Sequence, residues 1–544
     1  VNVEAGSVLF VVRTATTLHR LLDIGPALAG DRRIRPYFTL VPGSDFSADA
    51  FAALDGLGAV QVPWEEAKAR SFGLVLAASA KGELHQLSGP LALLPHGAGF
   101  SKRSSQGPAN GAANGLHPEQ LLRPDGTPLA SVHALAHPSQ LGRLTVASPL
   151  AASRAAVVGD PTLDRLLESV PRRDRYRRAL GTGRRRLVVA VSTWGGESLL
   201  ERRPGLPLRL ATELPYDTYQ TALVVHPNEH ASKRGFGLAQ DLTPERRAGM
   251  LLPRPYEEWA ALLVAADCVV SDHGSTALYA AALGRPVLSA YDGGTELLPG
   301  TPMARLLGAA PRLDDRLPYE PQLARALTAH RAETSRALTE DVFARRGDAL
   351  QELRRHFYAL LGLAPPGVPA EPEPLPSPRE VATRCPAPAA FAVDAEVDGN
   401  TVQVVRRPAS DRFGQYLAAE EDWAGMRHVQ SAGLLYRHAD GSEPLRVADW
   451  SAGVLAAYPA CRTVAAVLDA DLCVLRVRGG EPLTLRIEPP GTGLDPVAVL
   501  CGVHAWLVKS GGAGNGSRTR VRCRVGGQSV TAVLTPGTDA SARG

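Results

Sequence analysis

The turn Ser271-Asp272-His273-Gly274-Ser275-Thr276 joins an apolar run, Cys268-Val269-Val270, to an Ala/Leu-rich stretch, Ala277–Leu283. Gly284 and Pro286 then stop the helix that such a composition forms. The unit reads as strand, polar turn, helix, strand. Its turn sets Gly274, two hydroxyls and free backbone N–H groups at a helix start, where an anion such as a nucleotide phosphate is favoured. A second reading stands beside it: Ser275 and Thr276 simply cap the helix.

Three other segments carry similar chemistry. Leu93-Leu94-Pro95-His96-Gly97-Ala98-Gly99 follows an apolar strand and continues to Lys102. Ligands of open α/β sheets collect at such carboxyl ends, and a histidine there can take a proton from a hydroxyl near neutral pH. His226-Pro227 ends the run Ala222–Val225, and the proline restricts where the histidine points. Ser192-Thr193-Trp194-Gly195-Gly196 ends the run Arg186–Val191 and offers donors to a diphosphate. Each also reads as an ordinary turn. His230 lies four residues after His226, but with no third ligand in sight no metal is expected. His85 reads as surface.

The elements that must position these residues alternate from the start. Strands are expected at Ser7–Val12, Ile34–Val41, Ala59–Val62, Gly73–Ala77 and Leu91–Leu94, with helices at Thr16–Ala29 and Ser47–Leu57. That rhythm predicts a parallel sheet with crossover helices. A polar Gly/Asn/Pro segment, Gly99–Gly115, interrupts it, and signals stay weak to about Leu144. A second series opens at Ala155–Val158 and continues through Arg186–Val191, Ala222–Val225, Val269–Ser271 and Pro286–Ala290 to helices at Glu320–His330 and Glu340–Leu363. The Pro-rich run Ala364–Pro378 predicts a stiff, extended linker. Past it the helical period fades, and short alternating strands with a hairpin turn at Val397–Thr401 predict a β-rich module. The expected organisation is an α/β pair of Rossmann-like domains, residues 1–145 and 146–363, a linker 364–384 and a β-rich accessory domain 385–544.

Composition narrows the partners. Among 544 residues, 44% are hydrophobic and 21% charged, with a net charge of +4, which suits several globular cores and not a nucleic-acid coat. Arg172–Arg186 holds eight arginines and one acid, Asp174, and reads as a solvated helix face or as a patch for anionic lipid. Six scattered cysteines without a CxxC pair read as reduced thiols, and no apolar run approaches a membrane span. A cytoplasmic protein is the expectation, with peripheral contact at the inner face of the membrane as the alternative in which the arginine run meets lipid.

The order of these segments resembles the CDP-glycerol glycerophosphotransferases, which build teichoic-acid-like polymers. His96-Gly97 with Lys102 is similar to their His-Gly…Lys loop, and Gly159-Asp160-Pro161-Thr162-Leu163-Asp164 to their Gly-x-Pro-x-x-Asp junction. Ser192-Thr193-Trp194 resembles their Pro-Thr-Trp strand end. His226-Pro227 resembles a His-Pro motif shared with bacterial polysialyltransferases. Asp272–Thr276 and Tyr291-Asp292 resemble their Asp-x-Ser-Ser and Tyr-Asp segments. The resemblance covers about residues 1–360. It implies a GT-B fold with the acceptor in the first domain and the nucleotide-activated donor in the second. It further implies His96 as base on an acceptor hydroxyl, with Gly97 and Lys102 beside it. His226, Ser275 and Thr276 would lie on the donor phosphates, with Gly274, Ser192, Thr193 and Asp272 around them. No metal or other cofactor is implied. Pro95, Gly195 and Gly274 depart from the family pattern, which leaves CDP-glycerol-like, CMP-sugar and UDP-sugar donors open. A sugar-nucleotide epimerase of the same fold would need further acids, for which Asp272, Asp292 and Glu296 are candidates. A nucleotide-binding scaffold without catalysis is the third alternative.

Overall fold

The computed structural model describes residues 4–43, 54–94, 98–103, 113–233, 235–254, 258–378, 381, 383, 385–410, 414–439, 447–511 and 518–537. Six parallel strands form the first sheet: β1 (Glu4–Val12), β2 (Arg35–Leu40), β3 (Phe72–Ala77), β4 (Leu91–Leu93), β5 (Val132–Leu135) and β6 (Ala155–Val157). Their order is β2-β1-β3-β4-β5-β6. The second sheet, also parallel, runs β10-β9-β7-β8, from β7 (Arg186–Ser192), β8 (Tyr219–Val225), β9 (Cys268–Ser271) and β10 (Val287–Ser289). Every residue of β8 and β9 is buried, as expected for strands covered by helices on both faces. In each sheet the chain reverses direction of growth beside a central strand, β1 or β7, and this opens a crevice at the carboxyl ends. The two α/β units together have a GT-B-like, Rossmann-like architecture.

Several sequence expectations change. The strand expected at Ala155–Val158 to open the second series forms over Ala155–Val157 and instead pairs with β5 at the edge of the first sheet. A strand at Val132–Leu135 stands where the sequence signal was weak, because four residues interrupted by His133 carry little period. Ala59–Val62 contributes only a single bridge, Gln61 to Phe38. The helix expected over Thr16–Ala29 ends at Asp23, and Gly25-Pro26 passes into a short 3-10 turn.

The proline run is extended, as expected, but it is a strap more than a spacer. Ala370 is buried in the first core and Leu375 in the second. The Leu375 N–H donates to Ser169 Oγ at 3.0 Å, and its carbonyl accepts from the Tyr176 hydroxyl at 2.9 Å.

The C-terminal module is β-rich, as expected, and closes into a nine-stranded barrel. Its strands are β11 (Ala390–Asp398), β12 (Thr401–Pro408), β13 (Tyr416–Glu420), β14 (Leu434–His438), β15 (Thr463–Asp469), β16 (Leu472–Val477), β17 (Pro482–Glu488), β18 (Thr519–Val525) and β19 (Gln528–Pro536). They close in the order β11-β12-β18-β19-β17-β16-β15-β14-β13. The hairpin at Val397–Thr401 forms as predicted, with Asp398 opposite Thr401. The expected loss of helix does not hold. Helix Pro496–Lys509 packs with the inward side chains of the barrel, and shorter helices lie at Met426–Ser431 and Val447–Ala457. A helix buried on all sides carries no amphipathic period to read.

The barrel is bound to the second α/β unit by a buried ion pair. Arg406, fully buried, donates two hydrogen bonds of 2.7 Å to Asp217 and one of 2.6 Å to Asp495. Gly526 passes so close that a Cβ there would lie 2.4 Å from the Asp217 carbonyl oxygen. All six cysteines are buried and none forms a disulfide. Among the described residues, no helix is long and apolar enough to cross a membrane.

Candidate functional site

A cavity of about 750 Å³ lies between the carboxyl edges of the two sheets, with Glu373, Leu375 and Pro376 of the strap as part of its wall. Helix Ala15–Asp23 meets the second unit beside it. Arg20 donates to Asp160 at 3.1 Å and to the hydroxyls of Thr162 and Tyr279. Asp160 also caps helix Pro161–Ser169, accepting from the Leu163 N–H at 2.9 Å. The Gly159–Asp164 element therefore sits at the junction of the two units.

The turn after β9 is held by Asp272. Its carboxylate is buried and accepts three backbone N–H groups: Thr193 and Leu199 at 2.8 Å, and Gly274 at 2.9 Å. Burial raises its pKa, while those three bonds and the neighbouring His273 act to lower it. This acid fastens the ends of β7 and β9 together, and its oxygens are already occupied. Ser192 is also tied in, donating to the Thr193 carbonyl at 2.9 Å and accepting from the Leu200 N–H at 3.2 Å. Thr193 Oγ1 accepts from Lys102 Nζ at 2.7 Å.

Ser275, Thr276 and His226 stand differently. Ser275 takes helical angles (φ −58°, ψ −19°), and its hydroxyl makes no capping bond, because a cap requires extended backbone at that position. Both hydroxyl residues line the cavity and are half-buried. The capping alternative for Ser275 is thereby removed. His226 does cap its own helix: Nδ1 accepts from the Asn228 N–H at 3.1 Å, so the proton of the neutral ring sits on Nε2. The Trp194 ring lies 6.2 Å from it, centroid to centroid.

Lys102 links the two halves. Besides Thr193 it meets Glu296 Oε2 at 3.7 Å, and Glu296 Oε2 lies 3.0 Å from His273 Nε2. Burial lowers the ammonium pKa, opposed by Glu296 and Asp272. The His273 contact holds Glu296 below its ordinary value. His273 is buried against Gly293, where a Cβ would stand 2.5 Å from the ring. Nothing in the local sequence marks the His273–Glu296 pair, since its members are 23 residues apart. The loop carrying Lys102 is fastened by Leu298 N–H to the Ser101 carbonyl, 2.9 Å, and Arg103 N–H to the Glu296 carbonyl, 2.7 Å.

Other candidates fall elsewhere. Asp292 does not line the cavity; its exposed carboxylate accepts from the Gly294 N–H at 3.1 Å and lies 3.8 Å from Arg312. His96 and Gly97 lie outside the described residues. Among the described residues no group of three or more His, Cys, Asp or Glu is placed to hold a metal ion. Much of the arginine run serves the fold: Arg173 and Arg177 each meet Asp267 at 2.7 Å and donate to the Ala265 carbonyl at the end of helix Trp259–Ala265. Arg185 stacks on Tyr216 at 4.9 Å.

No family model matches this sequence, and no curated protein matches it. Among solved structures, the wall teichoic acid polymerase TagF is similar at 14% identity and a TM-score of 0.46, covering 66% of this chain and 90% of that one. The UDP-GlcNAc 2-epimerase of Neisseria meningitidis, bound to UDP-GlcNAc, is similar at 15% identity and a TM-score of 0.40, over 65% of this chain and 99% of that one. The corresponding epimerase of Methanocaldococcus jannaschii gives 13% identity and a TM-score of 0.41, over 65% and 99%.

Proposed function

We propose that this protein is a GT-B type transferase that moves a glycosyl or polyol-phosphate group from a nucleotide-activated donor to a hydroxyl acceptor. The observation that carries the reading is the pair Ser275 and Thr276. Both line a cavity between two parallel sheets, and the Ser275 hydroxyl is not used to cap its helix. In this reading Ser275, Thr276 and the Nε2–H of His226 donate to the phosphate oxygens of the donor. Fixed donors there stabilise the charge that grows on the departing nucleotide. Asp272, Ser192, Thr193 and Gly274 hold the turn that presents them. His96, just past β4, is the base that takes the proton of the attacking hydroxyl, with Gly97 and Lys102 beside it. The donor class is CDP-glycerol-like, CMP-sugar or UDP-sugar, and no cofactor takes part.

A thermal-shift panel of CDP-, CMP-, UDP- and GDP-linked compounds tests the donor assignment, because a ligand of the native fold raises its melting temperature. Release of free nucleotide only when a polyol or sugar acceptor is added supports transfer. His273, which lines the cavity with Glu296 bonded behind it, favours one second reading, an epimerase, in which His273 moves a substrate proton. Deuterium incorporated from heavy water into a UDP-sugar, with no acceptor present, would support the epimerase instead.

A further inference from the structure

We propose that the first unit's side of the cavity is a polyol subsite in which Ser101, Gln120 and His133 read the hydroxyls of the acceptor. The inference rests on the transferase reading and assigns the part of the site that faces the donor.

Ser101 Oγ and Gln120 Oε1 are buried without a hydrogen-bond partner, and both residues line the cavity. Folded proteins rarely leave such atoms unpaired, because water lost on burial is not replaced. Here a ligand in the cavity would complete them. His133, on β5, lines the same cavity and is only 6% exposed. Burial lowers its pKa to about 4, so the ring is neutral near pH 7 and offers one donor and one acceptor. All three groups are therefore uncharged, a set that matches hydroxyls better than phosphate. Lys102, next to Ser101 in the chain, is already bonded to Thr193 and Glu296.

Their placement suits an acceptor. Ser101 precedes Lys102, which reaches Thr193 on the donor side. His133 lies opposite Leu93 at the end of β4. A hydroxyl bound there would stand between the neutral groups and the donor.

Saturation-transfer NMR on the full chain, with glycerol and ribitol as probes, tests the subsite. Calorimetry with CDP, CMP and UDP runs in parallel. In Ser101→Ala/Gln120→Leu the polyol signal is expected to fall roughly tenfold, with nucleotide affinity unchanged. The melting temperature should hold or rise, since buried unpaired atoms are removed. His133→Phe should also lose the signal, and His133→Gln, which keeps a neutral donor and acceptor, should retain it. A polyol signal absent from the wild type, or equal in wild type and variants, overturns the subsite. So does joint loss of polyol signal, nucleotide affinity and melting temperature, which marks a structural role. Failure of the wild type to bind any of CDP, CMP and UDP overturns the transferase reading itself, separately from the polyol result.

Discussion

The two walls of the cleft use their polar groups in opposite ways. On the second unit, Asp272 holds three backbone N–H groups and Ser192 and Thr193 are bonded within the protein, so the turn that presents Ser275 and Thr276 is built before any ligand arrives. On the first unit, Ser101 and Gln120 keep buried atoms without partners. The turn on the second wall is bonded in advance, with His273 Nδ1 beside it still buried without a partner, whereas the first wall leaves both Ser101 and Gln120 incomplete. A preformed wall suits fixed stabilisation of charge, which gains from donors that need no rearrangement. An incomplete wall suits selection among neutral acceptors, because a ligand lacking the matching hydroxyl leaves polar groups unpaired.

The largest expected effect falls on the built wall. Asp272→Ala strands three backbone donors and should cost about 3 kcal/mol or more, read as a lower denaturation midpoint; Asp272→Asn, which keeps one acceptor oxygen, should cost less. A cost below about 1 kcal/mol would erase the contrast. Next comes acid. Burial lowers His133 from 6.5 to about 4, so the unfolded chain takes up its proton first as pH falls. The stability present above pH 6.5 is lost as pH falls toward 4, by roughly 2 kcal/mol between about pH 7 and pH 5. His133→Gln should flatten that part of the pH dependence. Asp164, raised to about 6 by burial, works in the opposite sense and favours the fold as pH falls below that value, so the comparison must be variant against wild type. Lys102→Met removes the tie between the walls and should cost about 1 kcal/mol in chemical denaturation. Asp292→Ala, exposed and away from the cavity, should change stability by less than about 0.5 kcal/mol and leave nucleotide binding intact.

Much of the architecture was legible because parallel strands buried on both faces leave continuous apolar runs, as at Tyr219–Val225 and Cys268–Ser271. The turns after β7, β8 and β9 were legible for the same reason, since glycine, hydroxyls and His-Pro stand out at strand ends. What was hidden depends on tertiary neighbours. Asp272 looked like a ligand-facing acid, and only the three amides around it reveal an anchor. The His273–Glu296 contact has no spacing that a reader could recognise. Ser101, Gln120 and His133 are ordinary letters until the fold buries them around one cavity. Helix Pro496–Lys509 carries no readable period because its apolar residues from Val497 to Leu507 are packed into the barrel around most of its circumference.

The central claim is that Ser275 and Thr276 hold the phosphates of a nucleotide-activated donor. Calorimetric titration of the full chain with CDP, CMP and UDP, wild type against Ser275→Ala/Thr276→Ala, tests it most directly. The account predicts that the wild type binds at least one of the three, and that the double variant binds it roughly tenfold or more weakly with an unchanged melting temperature. Equal affinity in the two proteins would contradict the claim.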